Sequence, residues 1–120
     1  MEDYRTPKDQ GIWKESFTLA CFIYSVTDGD SFTPDPELRC TTRRIMVRVL
    51  SSIMEGFESA DPGEREKFLS RAAVASGELR QLLLKGYQGG CLNFREFSRA
   101  REQCLRLRCR LLDPGMENVG

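Results

Sequence analysis

Three times in 120 residues the chain repeats one local device for opening a helix: Asp35-Pro36-Glu37, Asp61-Pro62-Gly63-Glu64 and Asn93-Phe94-Arg95-Glu96. In each, a short polar side chain can accept a hydrogen bond from the orphan N–H groups of a first helical turn. In two of them a proline at the first helical position supplies the required φ and lacks only an N–H that the helix does not use. Glutamate three residues after Asp61 and after Asn93 has the spacing of a capping box. Gly29, the Gly86 to Gly90 region and Pro114-Gly115 supply stops. This punctuation predicts four helices, over about 10–27, 36–58, 62–85 and 94–112, joined by short turns. No strand-like alternation and no Asn-Gly hairpin signal competes with it.

Each segment carries helical periodicity. Trp13, Phe17, Ala20 and Tyr24 form one stripe in the first, with Ile12, Leu19 and Ile23 beside it. Phe68, Ala72, Ala75, Leu79 and Leu82 repeat in the third, and Phe97, Ala100, Cys104, Leu107 and Leu111 in the fourth. Four amphipathic helices with short connections predict an all-α, up-down-up-down four-helix bundle over residues 10–113, between a polar tail at 1–9 and a flexible tail at 114–120. In the third helix, Ser70, Ala73 and Gly77 form a small-residue strip. A mid-helix glycine costs about 1 kcal/mol against alanine, so close contact with another helix is expected at Gly77.

Two helices carry more apolar surface than one bundle core needs. Apolar residues of the second, including Met46, Leu50 and Met54, spread over roughly 200° of its circumference, where a core-facing stripe takes about 100°. In the fourth, Phe94, Leu105 and Leu112 form a second apolar row offset from the first. Unused apolar surface marks a partner, and these six residues are expected at a contact between subunits.

Composition removes most chemistry. Histidine is absent, and with it the usual general base and the commonest metal ligand. The five cysteines, Cys21, Cys40, Cys91, Cys104 and Cys109, form no C-x-x-C pair, so a metal site is not expected. No phosphate-binding glycine loop and no nucleophile beside a base is present. The expectation is a protein that is not an enzyme and needs no cofactor. The start, Met1 to Lys8, has no apolar signal region, and the longest apolar run, Leu19 to Tyr24, is six residues, far short of the ~20 that a membrane helix needs. Reduced thiols in a cytoplasmic protein are the reading.

Net charge is zero, from 18 basic and 18 acidic residues, yet residues 1–37 hold 3 basic and 8 acidic groups while 38–120 hold 15 and 10. Fourteen of the 18 basic residues are arginine, the cation suited to bidentate pairing with carboxylate or phosphate. Six lie between Asn93 and Leu112. Arg95, Arg99, Arg106 and Arg110 fall within about 60° of one another, opposite the Phe97/Cys104/Leu111 stripe. Such a row can contact several phosphates, or it can be a solvated face paired with neighbouring acids. Arg44 and Arg48, on the polar side of the second helix, can extend it. Arg101 and Arg108 lie nearer the apolar rows, where a charged head must reach water or find a partner. Glu55 and Glu78 are their expected partners, within one subunit or between two.

The run Arg43-Arg44-Ile45-Met46-Val47-Arg48-Val49-Leu50-Ser51-Ser52-Ile53-Met54-Glu55-Gly56-Phe57 resembles the Arg-Arg-Ala-Ala-Val-Ser-Ile-Pro-Ser-Asn-Ile-Ala-Glu-Gly-Phe signature of the four-helix-bundle proteins encoded in intervening sequences of bacterial 23S ribosomal RNA genes. Trp13 ahead of Ile23-Tyr24, and Phe68-Leu69-Ser70 ahead of Glu78-Leu79, agree with that pattern in order. The chain departs from it at Ile45-Met46, where the family has two alanines, and at Arg48-Val49-Leu50, where it has Ser-Ile-Pro. The resemblance implies a cytoplasmic bundle assembled as a ring-like homopentamer. The related accessory variability determinant proteins of diversity-generating retroelements imply, further, a reverse transcriptase and nucleic acid, RNA or DNA, as partners of basic surfaces. The alternative reading is a purely structural self-assembling bundle that binds no nucleic acid.

Overall fold

A computed structural model describes residues 6–112. Helix α1 spans Pro7–Thr27, α2 Pro36–Glu58, α3 Pro62–Gln88 and α4 Phe94–Leu112, with a single 3-10 turn, Asp30–Phe32, after α1. Among the described residues there is no strand.

The helix starts follow from the capping chemistry. Asp35 accepts from the Leu38 N–H at 3.0 Å and Asp61 from the Glu64 N–H at 3.0 Å. Asn93 and Glu96 close a reciprocal capping box: the Glu96 N–H donates to Asn93 Oδ1 at 2.8 Å, and the Asn93 N–H to Glu96 Oε1 at 3.0 Å. Helix α1 begins three residues earlier than its apolar pattern indicates, because Thr6-Pro7 is a fourth copy of the device. The Thr6 hydroxyl accepts from the Asp9 N–H at 3.1 Å. Residues 7–9 are therefore helix, not tail; the expected C-terminal tail, 114–120, lies outside the described residues. At the other end α3 runs to Gln88, and the chain turns at Gly90 with φ +84°, a left-handed conformation that favours glycine.

Helix α2 packs on α3 and α3 on α4, while α1 lies against both α2 and α4. One core fills the centre. Phe97, Ala100, Cys104, Leu107 and Leu111 of α4 are all buried in it, as their spacing predicts. Helix α1 is turned relative to expectation: Ile12, Leu19, Ala20 and Ile23 are buried, whereas Trp13, Phe17 and Tyr24 stay exposed. The β-branched and leucine row fits between two helices more closely than the bulkier aromatic row, whose rings stack on one another (Trp13–Phe17, 6.4 Å between centroids) along the outer edge.

Met46 corrects the expected subunit contact. It is fully buried, with no exposed area, beside Ile45, Val49 and Ile53. Helix α2 meets both α1 and α3, so its core-facing arc is wider than that of a helix with one neighbour. Leu50 is partly buried and packs against the same core.

Two glycines separate by what surrounds them. A methyl group added at Gly56 would lie 3.2 Å from Leu69 Cδ2 and 3.3 Å from the Arg65 carbonyl oxygen, so α2 and α3 approach closely there. At Gly77 nothing lies within 4 Å of the same position, and the close contact expected there is absent from the protomer. Gly77→Ala is accordingly expected to stabilise the protomer by about 0.5–1 kcal/mol, through a less flexible unfolded chain and better helix propensity. Chemical denaturation measures it; a loss of stability would mean that Gly77 has a conformational role.

The uneven charge is largely resolved inside the fold. Asp9 is buried and pairs with Arg65; Glu15 accepts from Arg110 Nε at 2.9 Å; Asp28 lies 3.6 Å from Arg43. Each pair joins the acidic first helix, or the turn after it, to an arginine of a later helix. Arg43 also donates to the Thr27 hydroxyl at 2.7 Å and lies 5.0 Å above the Tyr24 ring.

A candidate anion-binding surface on the fourth helix

The arginine row of α4 divides into three kinds of residue. Arg95 and Arg99 are exposed and make no ion pair with another described residue. The Arg99 guanidinium is steered by a ring, 4.7 Å above Phe22 of α1, a contact that orients a cation and leaves its N–H donors available. Arg106 meets Glu102 one turn back at 3.5 Å, with both side chains more than 60% exposed, a pairing worth little in water. Arg110 differs from the rest. Its side chain is about two-thirds buried and bound to Glu15, so it joins α4 to α1.

Between α1 and α4 lies a cavity of about 360 Å³ lined by Lys14, Glu15, Gln103, Arg106 and Arg110. Lys14 is a residue that sequence reasoning missed: on α1 its spacing marks only a solvated position, and its proximity to Arg106 comes from helix packing. Arg48 lies elsewhere. It lines a groove of about 610 Å³ between α2 and α3, with Glu55, Lys67, Arg71 and Glu78, so Arg48 does not extend the α4 surface. Arg44 is exposed on the same helix.

Within the protomer, Glu55 and Glu78 do not pair with Arg101 and Arg108. Glu78 pairs with Arg48 at 3.5 Å, both about half exposed, because α3 meets α2 and α4 along different faces and its α2 side carries Glu78. Arg101 instead lies 5.5 Å above the Phe97 ring. Neither Arg108 nor Glu55, both exposed, makes an ion pair with another described residue.

Of the residues expected at a subunit contact, Met54, Phe94, Leu105 and Leu112 are exposed, Phe94 by 63%. Further apolar side chains are exposed. Trp13, Phe17, Tyr24 and Val47 are exposed on α1 and α2, and Leu84 and Tyr87 on α3; Tyr87 meets Phe94 edge-on with centroids 5.9 Å apart. The aromatic stripe on α1 carried a signal, but periodicity alone does not say which of two adjacent rows faces inward.

Cys91 and Cys104 are buried, and Cys21, Cys40 and Cys109 exposed. Burial pushes the Cys104 thiol up to about 12, against a smaller opposing pull from Arg80, so at neutral pH it is a protonated core residue. Among the described residues no helix is long and apolar enough to cross a membrane.

Four helices, a tight α2/α3 crossing at Gly56 and an arginine-rich last helix are thus encoded in one continuous segment. Across residues 8–112 the chain matches the model of the 23S rRNA-intervening sequence proteins. It belongs to that family. The match runs from the first turn of α1 to the end of α4, and so covers the whole core and every α4 arginine. Comparison with curated proteins gives no match.

Proposed function

We propose that the chain is a non-enzymatic accessory protein of the cytoplasm: an up-down-up-down bundle, assembled as a ring-like homopentamer, that engages nucleic acid through the arginine face of α4. The observation that carries this reading is the state of that face. After the fold has made its interhelical ion pairs, Arg95 and Arg99 of that face still meet no carboxylate among the described residues, and Arg106 has only an exposed partner. A row of unneutralised guanidinium groups is a polyanion's complement. Accessory proteins of retroelements, which the chain resembles, make a reverse transcriptase a further partner for the same surface.

Contacts between helix ends support the alternating topology. The start of α1 meets the end of α4 at Gly11 and Arg110, the end of α1 meets the first half of α2 at Tyr24 and Arg43, and the end of α3 meets the start of α4 at Tyr87 and Phe94. Two exposed apolar faces support assembly. Trp13, Phe17 and Met54 are exposed on α1 and α2, and Leu84, Phe94, Leu105 and Leu112 on α3 and α4; we assign the two groups to two faces. Two different faces on one protomer make a head-to-tail contact, which closes into a ring where the rotation between copies is a whole fraction of a turn. In that contact Arg101 and Arg108 of one copy take Glu55 of the next. A ring repeats the arginine row and turns a weak site into an avid one.

The test is binding of single-stranded RNA, followed by fluorescence anisotropy between about 50 and 200 mM salt. Arg95→Gln/Arg99→Gln/Arg106→Gln is expected to reduce the salt slope by about 2, since each neutralised phosphate of a single strand adds roughly 0.7 to it, while sedimentation gives an unchanged assembly mass. Wild-type protein that binds neither RNA nor DNA at the lower salt would favour the purely structural bundle, in which ion pairs such as Asp9–Arg65, Glu15–Arg110 and Arg48–Glu78 serve to join the helices.

A further inference from the structure

Phe22 lies beneath one arginine of the α4 face, and that contact adds to the face what charge alone does not supply. We infer that Arg99 and Phe22 form a stacking platform for an unpaired nucleobase of a single strand, an assignment that rests on the polyanion reading and goes beyond it. Phe22 of α1 is half-buried and packs against the core, which fixes its ring. The Arg99 guanidinium lies 4.7 Å from the centroid of that ring, and Arg99 is exposed. The two glutamates one turn to either side of it on α4 are engaged with other groups. Glu96 accepts from the Asn93 N–H at 3.0 Å, and Glu102 lies 3.5 Å from Arg106. Arg99 is thus positioned by a ring and not by a carboxylate. Arg43 and Arg65 also lie over rings, but each meets an aspartate as well.

A guanidinium is a flat, delocalised cation whose N–H donors point outward in its own plane. With the Phe22 ring on one side of it, the other side is open to solvent. Unstacked bases lie on arginine planes as they do on aromatic rings, and the in-plane N–H groups stay free for a phosphate. The neighbouring cations suit the rest of a strand. Arg95 and Arg106 stand about 6 Å and roughly 10 Å from Arg99 along the helix axis, on opposite sides of it, and Lys14 of α1 lines the same cavity as Arg106. Cations therefore flank the platform where the phosphates on either side of a stacked base would run. A duplex keeps its bases stacked on one another and offers such a surface only its backbone, so the platform favours a strand with unpaired bases.

The experiment compares two probes on the full chain at about 50 mM salt, where phosphate contacts are strong: an oligothymidylate, and an abasic strand of the same length and charge. Wild-type protein is expected to bind the base-bearing strand roughly 5-fold tighter or more, the low end for one stacked base. Arg99→Lys, which keeps the charge and removes the plane, is expected to erase most of that preference while the abasic affinity and the salt slope stay unchanged. Phe22→Leu, which keeps apolar packing beneath Arg99 and removes the ring, is expected to reduce the preference in the same way. Equal wild-type affinity for the two strands overturns the platform and leaves the polyanion reading standing, and so does an Arg99→Lys variant that keeps the full preference. Binding to neither strand overturns both.

Discussion

Met46→Ala is expected to lower the unfolding free energy of the protomer by about 2–5 kcal/mol, the range for truncating a long buried aliphatic side chain. Met46 has no exposed area and is one of the largest fully buried side chains, so the substitution leaves a cavity as well as removing apolar contact. The expected loss falls toward the lower end if neighbouring side chains close the gap, as flexible cores do. Urea titration at two protein concentrations checks it. The loss should be independent of concentration, since the side chain packs within one chain. A variant of unchanged protomer stability whose assembly dissociates more readily would return Met46 to the subunit contact that its place in the apolar arc of α2 suggests. Met54, on the same helix but 47% exposed, is the control and should show the opposite pattern.

Gly56→Val is expected to cost about 1–3 kcal/mol or more through overpacking. The first added carbon already meets Leu69 Cδ2 at 3.2 Å, Arg65 O at 3.3 Å and Phe68 Cβ at 3.3 Å. Leu69 can shift, being a side chain, but the Arg65 carbonyl belongs to the backbone of α3, and moving it means moving the helix. Valine gains only a few tenths of a kcal/mol in helix propensity over glycine, which does not offset that. The displacement also reaches Arg65, which holds the buried Asp9 and lies 5.2 Å from the Phe57 ring. Thermal unfolding should fall by several degrees, at roughly 4–8 °C per kcal/mol for a chain near 100 residues. An unchanged transition would show that α2 and α3 can separate there at no cost.

Much of the fold was legible because helix starts are local chemistry. Asn93 and Glu96 sit three residues apart, and that spacing is enough to close a capping box whatever the rest of the chain does. The α4 stripe was legible for a similar reason: Phe97, Ala100, Cys104, Leu107 and Leu111 form the longest unbroken apolar row of that helix, and all five are buried. Helix α1 was not, since Trp13/Phe17/Tyr24 and Ile12/Leu19/Ile23 are both apolar and lie side by side, and only the shape of the neighbouring helices chooses between them. The arginine row was visible as a row. Its division was not: Arg110 is bound to Glu15, 95 residues away in the chain, whereas Arg95 is not bound to any described carboxylate.

What the order of amino acids determined by itself was the number of helices, most of their limits, the family and the absence of histidine chemistry, all of which depend on neighbours within a few residues or on composition. Tertiary structure alone decided which charges are paired within the fold and which are not. An ion pair between helices depends on how two helices meet, so Arg43, Arg65 and Arg110 are taken up by α1 and the turn after it, while the exposed arginines of α4 are left facing outward beside a cavity that holds Lys14, Glu15 and Gln103.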